Sequence, residues 1–415
     1  MLFEEAEKAM KTAHCQAVIS PEVGALVAGY GAHDVSVMKY DELMMHGVCF
    51  DDGSRRALLL SFDLIGLARE LVLELRERCA EALHIAPQDV LLSCTHTHGG
   101  PHTRVSNSAA HTYDHEAARI VVENTVAAVR ALREEDFHEG DLYSYTAHAP
   151  VNMNRRYTGP DNVCRMLFDN RELEPLADGV VDDEVGILFQ LDKERIPCEV
   201  VVNFAAHPLA SHTPGASGHA ITSDYPGLLR HYLEESLHAP ATFVSGAAGD
   251  QFPVDSEIGF HALEKIAGSI ARETVRGLVN ARCNPARFRM EDTRIRTAIK
   301  RFPATVRKDA PRLKAEYRGL EQYELELQLL SIGDVCFVGV PGELLAEPGL
   351  EIKWHSPFRH TWICYNSTDY VSYIGHANML VAGGYEASMQ QFAPDTGLKL
   401  VRAAVEAMNE LKQQA

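Results

Sequence analysis

Residues 89–103 read DVLLSCTHTHGGPHT. The run Asp89–Ser93 is short and apolar, as a buried strand should be. His96 and His98 follow it two apart, and on an extended backbone such residues share a face, so both imidazoles can converge on one point. Gly99-Gly100-Pro101 ends the strand and lets backbone approach closely. Histidines presented in this way serve as metal ligands or as a ligand with a base. Two polar residues at a strand end give an equally simple structural account. Cys94 shares the face and reads as a small buried side chain. His102, His111 and His115 read as loop or helix-surface residues.

Similar apolar runs recur at Ala57–Phe62, Cys198–Phe204, Thr242–Gly246, Leu327–Ile332 and Val335–Val340. Helical periodicity runs through Leu67–Leu83, His115–Glu134, Tyr225–Leu237, His261–Asn280 and Gln391–Gln413. The alternation predicts an α/β protein of layered mixed β-sheets flanked by helices, with its site at strand ends. Residues 281–319, with CNPARF and RFPATVRKDAPRLK, read as a surface excursion from one large domain spanning 1–415.

The chain has 415 residues, with 39 basic and 58 acidic side chains and a net charge of −19. Such an acidic protein is repelled by phosphate backbones and anionic lipid, which argues against nucleic acid as a partner. No apolar run reaches the ~18–20 residues of a membrane span, so no integral membrane association is expected. The amino-terminal residues lack the basic start and apolar core of a signal peptide. Nine cysteines without CxxC pairs fit reduced thiols, predicting a cytoplasmic location. Oligomeric state is not readable from the sequence.

Further chemistry gathers after the other strands. CEVVVNFAAHPLASH places His207 just past a strand end, fixed by Pro208, with His212 and His219 in a loop that reads as solvent-exposed. In TSDYPGLLRHYLEE, Asp224 precedes a helix and reads as an N-cap, or else as a residue that positions a ligand. TFVSGAAGDQFP offers Gly246 and Gly249, whose backbone N–H groups suit an anion cradle, with Asp250 as the single charge. In VCFVGVPGELLAEPG, Glu343 reads as a first-turn residue favoured by the helix dipole, or as part of a metal shell. Tyr370 and Tyr373 follow in CYNSTDYVSYIGH, before GGYEASMQ.

Together these segments resemble the catalytic domain of the neutral/alkaline, non-lysosomal ceramidase family, and most closely its short relatives. The matching pieces are AGYGAHDVS, LLSFDLIGL, LLSCTHTHGGP, NMNRR, DDEVGILFQL, VVNFAAHP, SDYPG, FVSGAAGDQFP, VPGELL, NSTDYV and GGYEAS, in family order across residues 17–390. The resemblance implies one Zn²⁺ per chain, held by His96, His207, Glu343 and a tyrosine, Tyr370 or alternatively Tyr373. It implies that His98 supports the transition state and that Arg155, beside Arg156, binds an anion. Asp250 joins these as a catalytic residue, with Gly249, Phe252 and Asp224 as substrate contacts. The family places a serine in its GD-x-S-P motif where this chain has Phe252, which cannot act as a nucleophile. The immunoglobulin-like domain and secretion signal of the long ceramidases are not expected in this chain.

A mixed His/Glu/Tyr shell with an open position suits catalytic zinc, which lowers the pKa of bound water towards ~7 and polarises a carbonyl. The expected activity is hydrolysis of an amide bond in a small or acylated substrate by metal-activated water. Two alternatives stand beside it: a catalytically inactive metal-binding module, and a zinc esterase or lactonase.

Overall fold

The computed structural model describes residues 10–29, 35–104, 113–168, 171–177, 179–211, 219–254 and 259–414. His111 and His212 lie outside these residues, as does the centre of the AGYGAHDVS segment. Among the described residues the largest sheet has eight strands, in the order Ala241–Ser245, Pro197–Phe204, Glu184–Leu191, His138–His148, Met10–Val18, Met44–Asp51, Arg56–Phe62 and Val90–Cys94. Its two outermost pairs are parallel, and the interior pairs are antiparallel. A second sheet runs Ile295–Thr305, Gln322–Ile332, Val335–Gly339 and His360–Cys364, and its last pair is parallel.

The two sheets stack face to face, with helices outside. Leu58 and Leu60 turn towards Arg69–Leu83 and His115–Ala131. Leu59 turns the other way, into a layer shared with Val201, Val244, Phe337 and Trp362. Both faces of the strand are buried, so its sequence is continuously apolar rather than alternating. Asp224–Leu237 and Phe260–Cys283 cover the other half of the large sheet through Leu229, Leu233, Ile266 and Ile270. Thr396–Lys412 covers the second sheet with Leu400, Ala404 and Leu411.

One expectation needs correction. Within residues 281–319, Ile295–Thr305 pairs along its whole length with Gln322–Ile332. It is the edge strand of the second sheet. An edge tolerates Pro303 and carries half-buried Lys300 and exposed Arg301, the features that made the segment look like an excursion.

The three parallel pairs of these two sheets carry their carboxyl ends to one place. Ser61 Oγ donates to Phe243 O at 2.5 Å, and Asn203 Nδ2 donates to Val244 O and Ile363 O at 2.9 Å each. The Tyr365 N–H donates to Ser245 O at 3.0 Å, and Ser93 Oγ donates to Tyr365 O at 3.3 Å. These buried polar links tie the strand ends together and position everything that follows them.

Candidate metal centre

His96 is presented by a turn rather than by strand alternation, because the strand stops at Cys94 and His96 has φ 71°. A left-handed conformation is costly for a non-glycine residue and persists only where neighbours enforce it. Here the His96 N–H donates to Leu64 O at 2.9 Å, and ring Nδ1 meets Ile65 O at 2.7 Å. His207 follows Phe204, the last residue of its strand. Its N–H donates to Gln251 O at 3.0 Å, and its Nδ1 meets Ala248 O at 2.6 Å. A carbonyl on Nδ1 favours the Nδ1–H tautomer in both rings, which leaves each Nε2 lone pair for a ligand; in His96 the Asn366 side-chain amide also lies 2.9 Å from Nδ1.

Both Nε2 atoms face Glu343. Its Oε2 lies 3.4 Å from His96 Nε2 and 3.6 Å from His207 Nε2. Tyr370 donates its hydroxyl to Oε1, and Tyr365 donates to Oε2 at 3.3 Å. Glu343 is not in a helical first turn, as its sequence context suggested. It lies in the short strand Glu343–Leu344, which pairs in parallel with Tyr373–Ile374, and the helix begins at Ala346.

The electrostatics favour ligand forms of these groups. Burial drives His96 down to about 3 against the opposing charge of Glu343. Burial and the Arg155 charge lower His207. Burial, with His96 and His207 alongside, holds His98 well below the ordinary value. Burial alone would raise the Glu343 carboxyl, but the two imidazoles and the Tyr370 hydroxyl outweigh it and hold it well below the carboxylate range. The imidazoles are therefore neutral near neutral pH, as metal binding requires, and the Tyr370 and Tyr365 hydroxyls both donate to the carboxylate.

The donor set fits a divalent metal such as zinc. Bonds of about 2.0 Å in a tetrahedral shell put neighbouring donor atoms about 3.3 Å apart, close to the Nε2–Oε2 separations here. His207 Nε2 is buried and has no hydrogen-bond partner among the described residues, a costly state that a metal would relieve. His96, His98 and His207 also bring one ring nitrogen each within 4.8 Å of one another. Gly29 makes room for His98: a Cβ there would lie 2.3 Å from its Nδ1, and φ is +103° at Gly24 and +98° at Gly29 itself.

Arg155 is buried beside this cluster. It donates Nε to Glu386 Oε1 at 2.7 Å and Nη2 to Gly249 O at 2.9 Å and Tyr373 Oη at 3.0 Å. The structure thus separates the two tyrosines: Tyr370 meets Glu343, whereas Tyr373 meets Arg155. Phe252 is buried and its ring lies 6.4 Å from Phe168.

Three expected substrate or catalytic contacts instead support the backbone. The Gly249 N–H donates to Leu344 O at 2.9 Å and the Gly246 N–H to Phe204 O at 2.8 Å, so neither is open to cradle an anion. A Cβ on Gly249 would lie 2.8 Å from Leu344 O, so glycine is needed for close approach to the Glu343 strand. Asp250 accepts from Ala346 N–H and Asn154 Nδ2, both at 2.9 Å, and from Gln251 Nε2 at 3.1 Å. Asp224 is the first helical residue rather than the cap, which is Ser223. Its carboxylate accepts from Ser211 N–H at 2.8 Å and Ser211 Oγ at 2.5 Å, bracing the turn after His207.

His102 is buried rather than superficial, and His219 is half-buried in the short strand His219–Ile221. His115 is exposed, as expected. The sequence reading missed Tyr365, Arg104 and Lys314, whose fully buried Nζ donates to Tyr370 O. It quoted GGYEAS without assigning Glu386, the fully buried carboxylate that joins Arg155 to Arg156.

The residues define a layered α/β protein with a His/His/Glu/Tyr cluster where three parallel strand pairs end. Its architecture is ceramidase-like. A neutral ceramidase from Pseudomonas aeruginosa matches 98% of this chain and 75% of its own, with a TM-score of 0.77 at 14% identity. A structure described as ceramidase complexed with C2 matches 98% of this chain and 76% of its own, with a TM-score of 0.76 at 15% identity. No protein-family model matches the chain, and no curated protein matches it in sequence. Among the described residues, no helix is long and apolar enough to cross a membrane, and none of the nine cysteines is in a disulfide.

Proposed function

We propose that this chain is a zinc-dependent hydrolase of an amide bond in a small or acylated substrate. The observation that carries the reading is the pair of imidazoles, His96 and His207, aimed at one oxygen of Glu343. His96, His207, Glu343 and Tyr370 would hold the metal. Zinc bound there would polarise a substrate carbonyl and lower the pKa of a water molecule. His98, beside both ligand histidines (ring centroids 5.2 and 6.0 Å away), is neutral and placed to exchange a proton with the reacting groups. Arg155 holds its cation beside the cluster, where negative charge develops on the carbonyl oxygen.

Phe252 removes the serine hydroxyl that the resemblance would supply, so the reading relies on water as nucleophile and does not extend to ceramide. The test is a panel of small amides, acylated amines and matching esters, assayed with and without chelator. Chelator-sensitive amide turnover that is lost in His96→Ala supports the reading. Turnover of esters alone would replace it with an esterase or lactonase, and no turnover on any substrate would favour an inert metal-binding module.

A further inference from the structure

Six arginines are buried in the described structure, and five of them face a carboxylate. Arg76 pairs with Glu326 at 2.6 Å, Arg230 with Asp63 at 2.5 Å and Arg296 with Asp292 at 3.1 Å. Arg155 and Arg156 share Glu386. The sixth, Arg104, is only 9% exposed. It makes no ion pair and no hydrogen bond among the described residues. Its guanidinium lies over the ring of Tyr370, 4.4 Å from the centroid. Its Nε is sealed without a hydrogen-bond partner.

The placement is built rather than incidental. Thr103, the preceding residue, donates its hydroxyl to Gly66 O at 2.9 Å and accepts from the Ala68 N–H at 2.9 Å. Gly66 in turn lies against Tyr370, where a Cβ would sit 2.3 Å from the ring. Tyr370 carries its hydroxyl to Glu343. The guanidinium therefore stands one ring's breadth from the proposed metal ligands. A buried cation without a counterion is strongly disfavoured, and an aromatic face compensates only in part.

We propose that Arg104 is the binding residue for a carboxylate on the substrate, close to the bond that is cleaved. This rests on the hydrolase reading and narrows it to small anionic amides of the N-acyl amino acid type. The planar fork of a guanidinium matches the two oxygens of a carboxylate, a fit that an ammonium group does not reproduce. Arg155 is less suited to the role, since its Nε and Nη2 are already committed to Glu386, Gly249 and Tyr373.

The test is calorimetric binding of N-acetylglycine and of its neutral counterpart N-acetylglycinamide to the zinc-loaded protein. Wild type should prefer the carboxylate by about tenfold or more, and Arg104→Gln should abolish the preference. Arg104→Lys keeps the charge without the fork, so the preference should fall severalfold without vanishing, which guards against a folding defect in Arg104→Gln. Equal affinities in wild type, or an undiminished preference in either variant, would overturn the assignment. Binding needs no turnover, so the two readings fail separately. An inactive protein with an Arg104-dependent preference refutes hydrolysis alone. A protein that cleaves amides but binds both probes equally refutes the role of Arg104 alone.

Discussion

Glu199 and Glu343 each stand in a cluster with two histidines inside this protein, yet the two triplets are wired differently: Glu343 lies against both of its imidazoles, whereas Glu199 meets only His14, which in turn meets His46. Around Glu199, His14 meets the carboxylate with its Nδ1 at 3.1 Å, and the Nε2 of the same ring meets His46 Nδ1 at 3.2 Å. Both ring contacts of His14 in that chain run to side chains. Around Glu343, both Nδ1 atoms are taken by backbone carbonyls, and both Nε2 atoms stand 3.4 and 3.6 Å from the carboxylate. Burial lowers the His14 pKa, but Glu199 overrides it and the net shift is upward, whereas His96 is driven down to about 3. The first triplet favours a proton on His14, and the second is the one we propose to hold a metal. The residue types are the same, and the difference comes from which atom the backbone occupies.

The comparison breaks most clearly under substitution. His96→Ala or His207→Ala should reduce bound metal from about one equivalent per chain to near zero, while His14→Gln and His46→Gln keep it. Plasma mass spectrometry of the four purified variants checks this. Retention of metal by His96→Ala would remove the distinction.

A smaller effect is expected at Glu386. Glu386→Gln leaves two buried guanidinium groups without their carboxylate, which should cost roughly 3–5 kcal/mol of stability. Urea denaturation measures it. A change under about 1 kcal/mol would show that Arg155 and Arg156 do not depend on that carboxylate.

Acid should act on His96 and His14 in opposite directions. His96 has a folded-state pKa below its unfolded value of about 6.5, so the unfolded chain binds more protons between pH 6.5 and 3. Stability from keeping this imidazole neutral is therefore full above pH 6.5 and falls as the pH drops, and metal should dissociate in the same window. His14 has a raised pKa, so its contribution is full below pH 6.5 and is lost as the pH rises through the folded value. His14→Gln should cost on the order of 1 kcal/mol at pH 6 and less at pH 8. Melting temperatures of wild type and variant across that range test the sign. A cost that grows with pH would contradict it.

Most of the layered fold could be read from periodicity, because strands buried on both faces are continuously apolar and the long helices have one clear stripe. Ile295–Thr305 escaped because an edge strand carries prolines and charges that imitate a loop. His96 and His207 were visible through their strand-end positions. The spacing argument for His96 and His98 found a genuine neighbour pair, although the geometry is a strained turn at His96 rather than an extended backbone. The backbone-supporting contacts of Gly249, Asp250 and Asp224 were not legible, because the sequence does not show which N–H groups and carboxylates the neighbouring chain already occupies. Arg104 was missed for the complementary reason: only the structure reveals that this buried cation meets no carboxylate among the described residues.

The most direct test of the account is metal content per chain in protein purified without chelator or a metal-affinity column. The account predicts about one equivalent of zinc, lost on His207→Ala and retained on His14→Gln. Protein that carries no metal and takes none up when incubated with zinc would contradict the metal centre and the hydrolytic reading built on it.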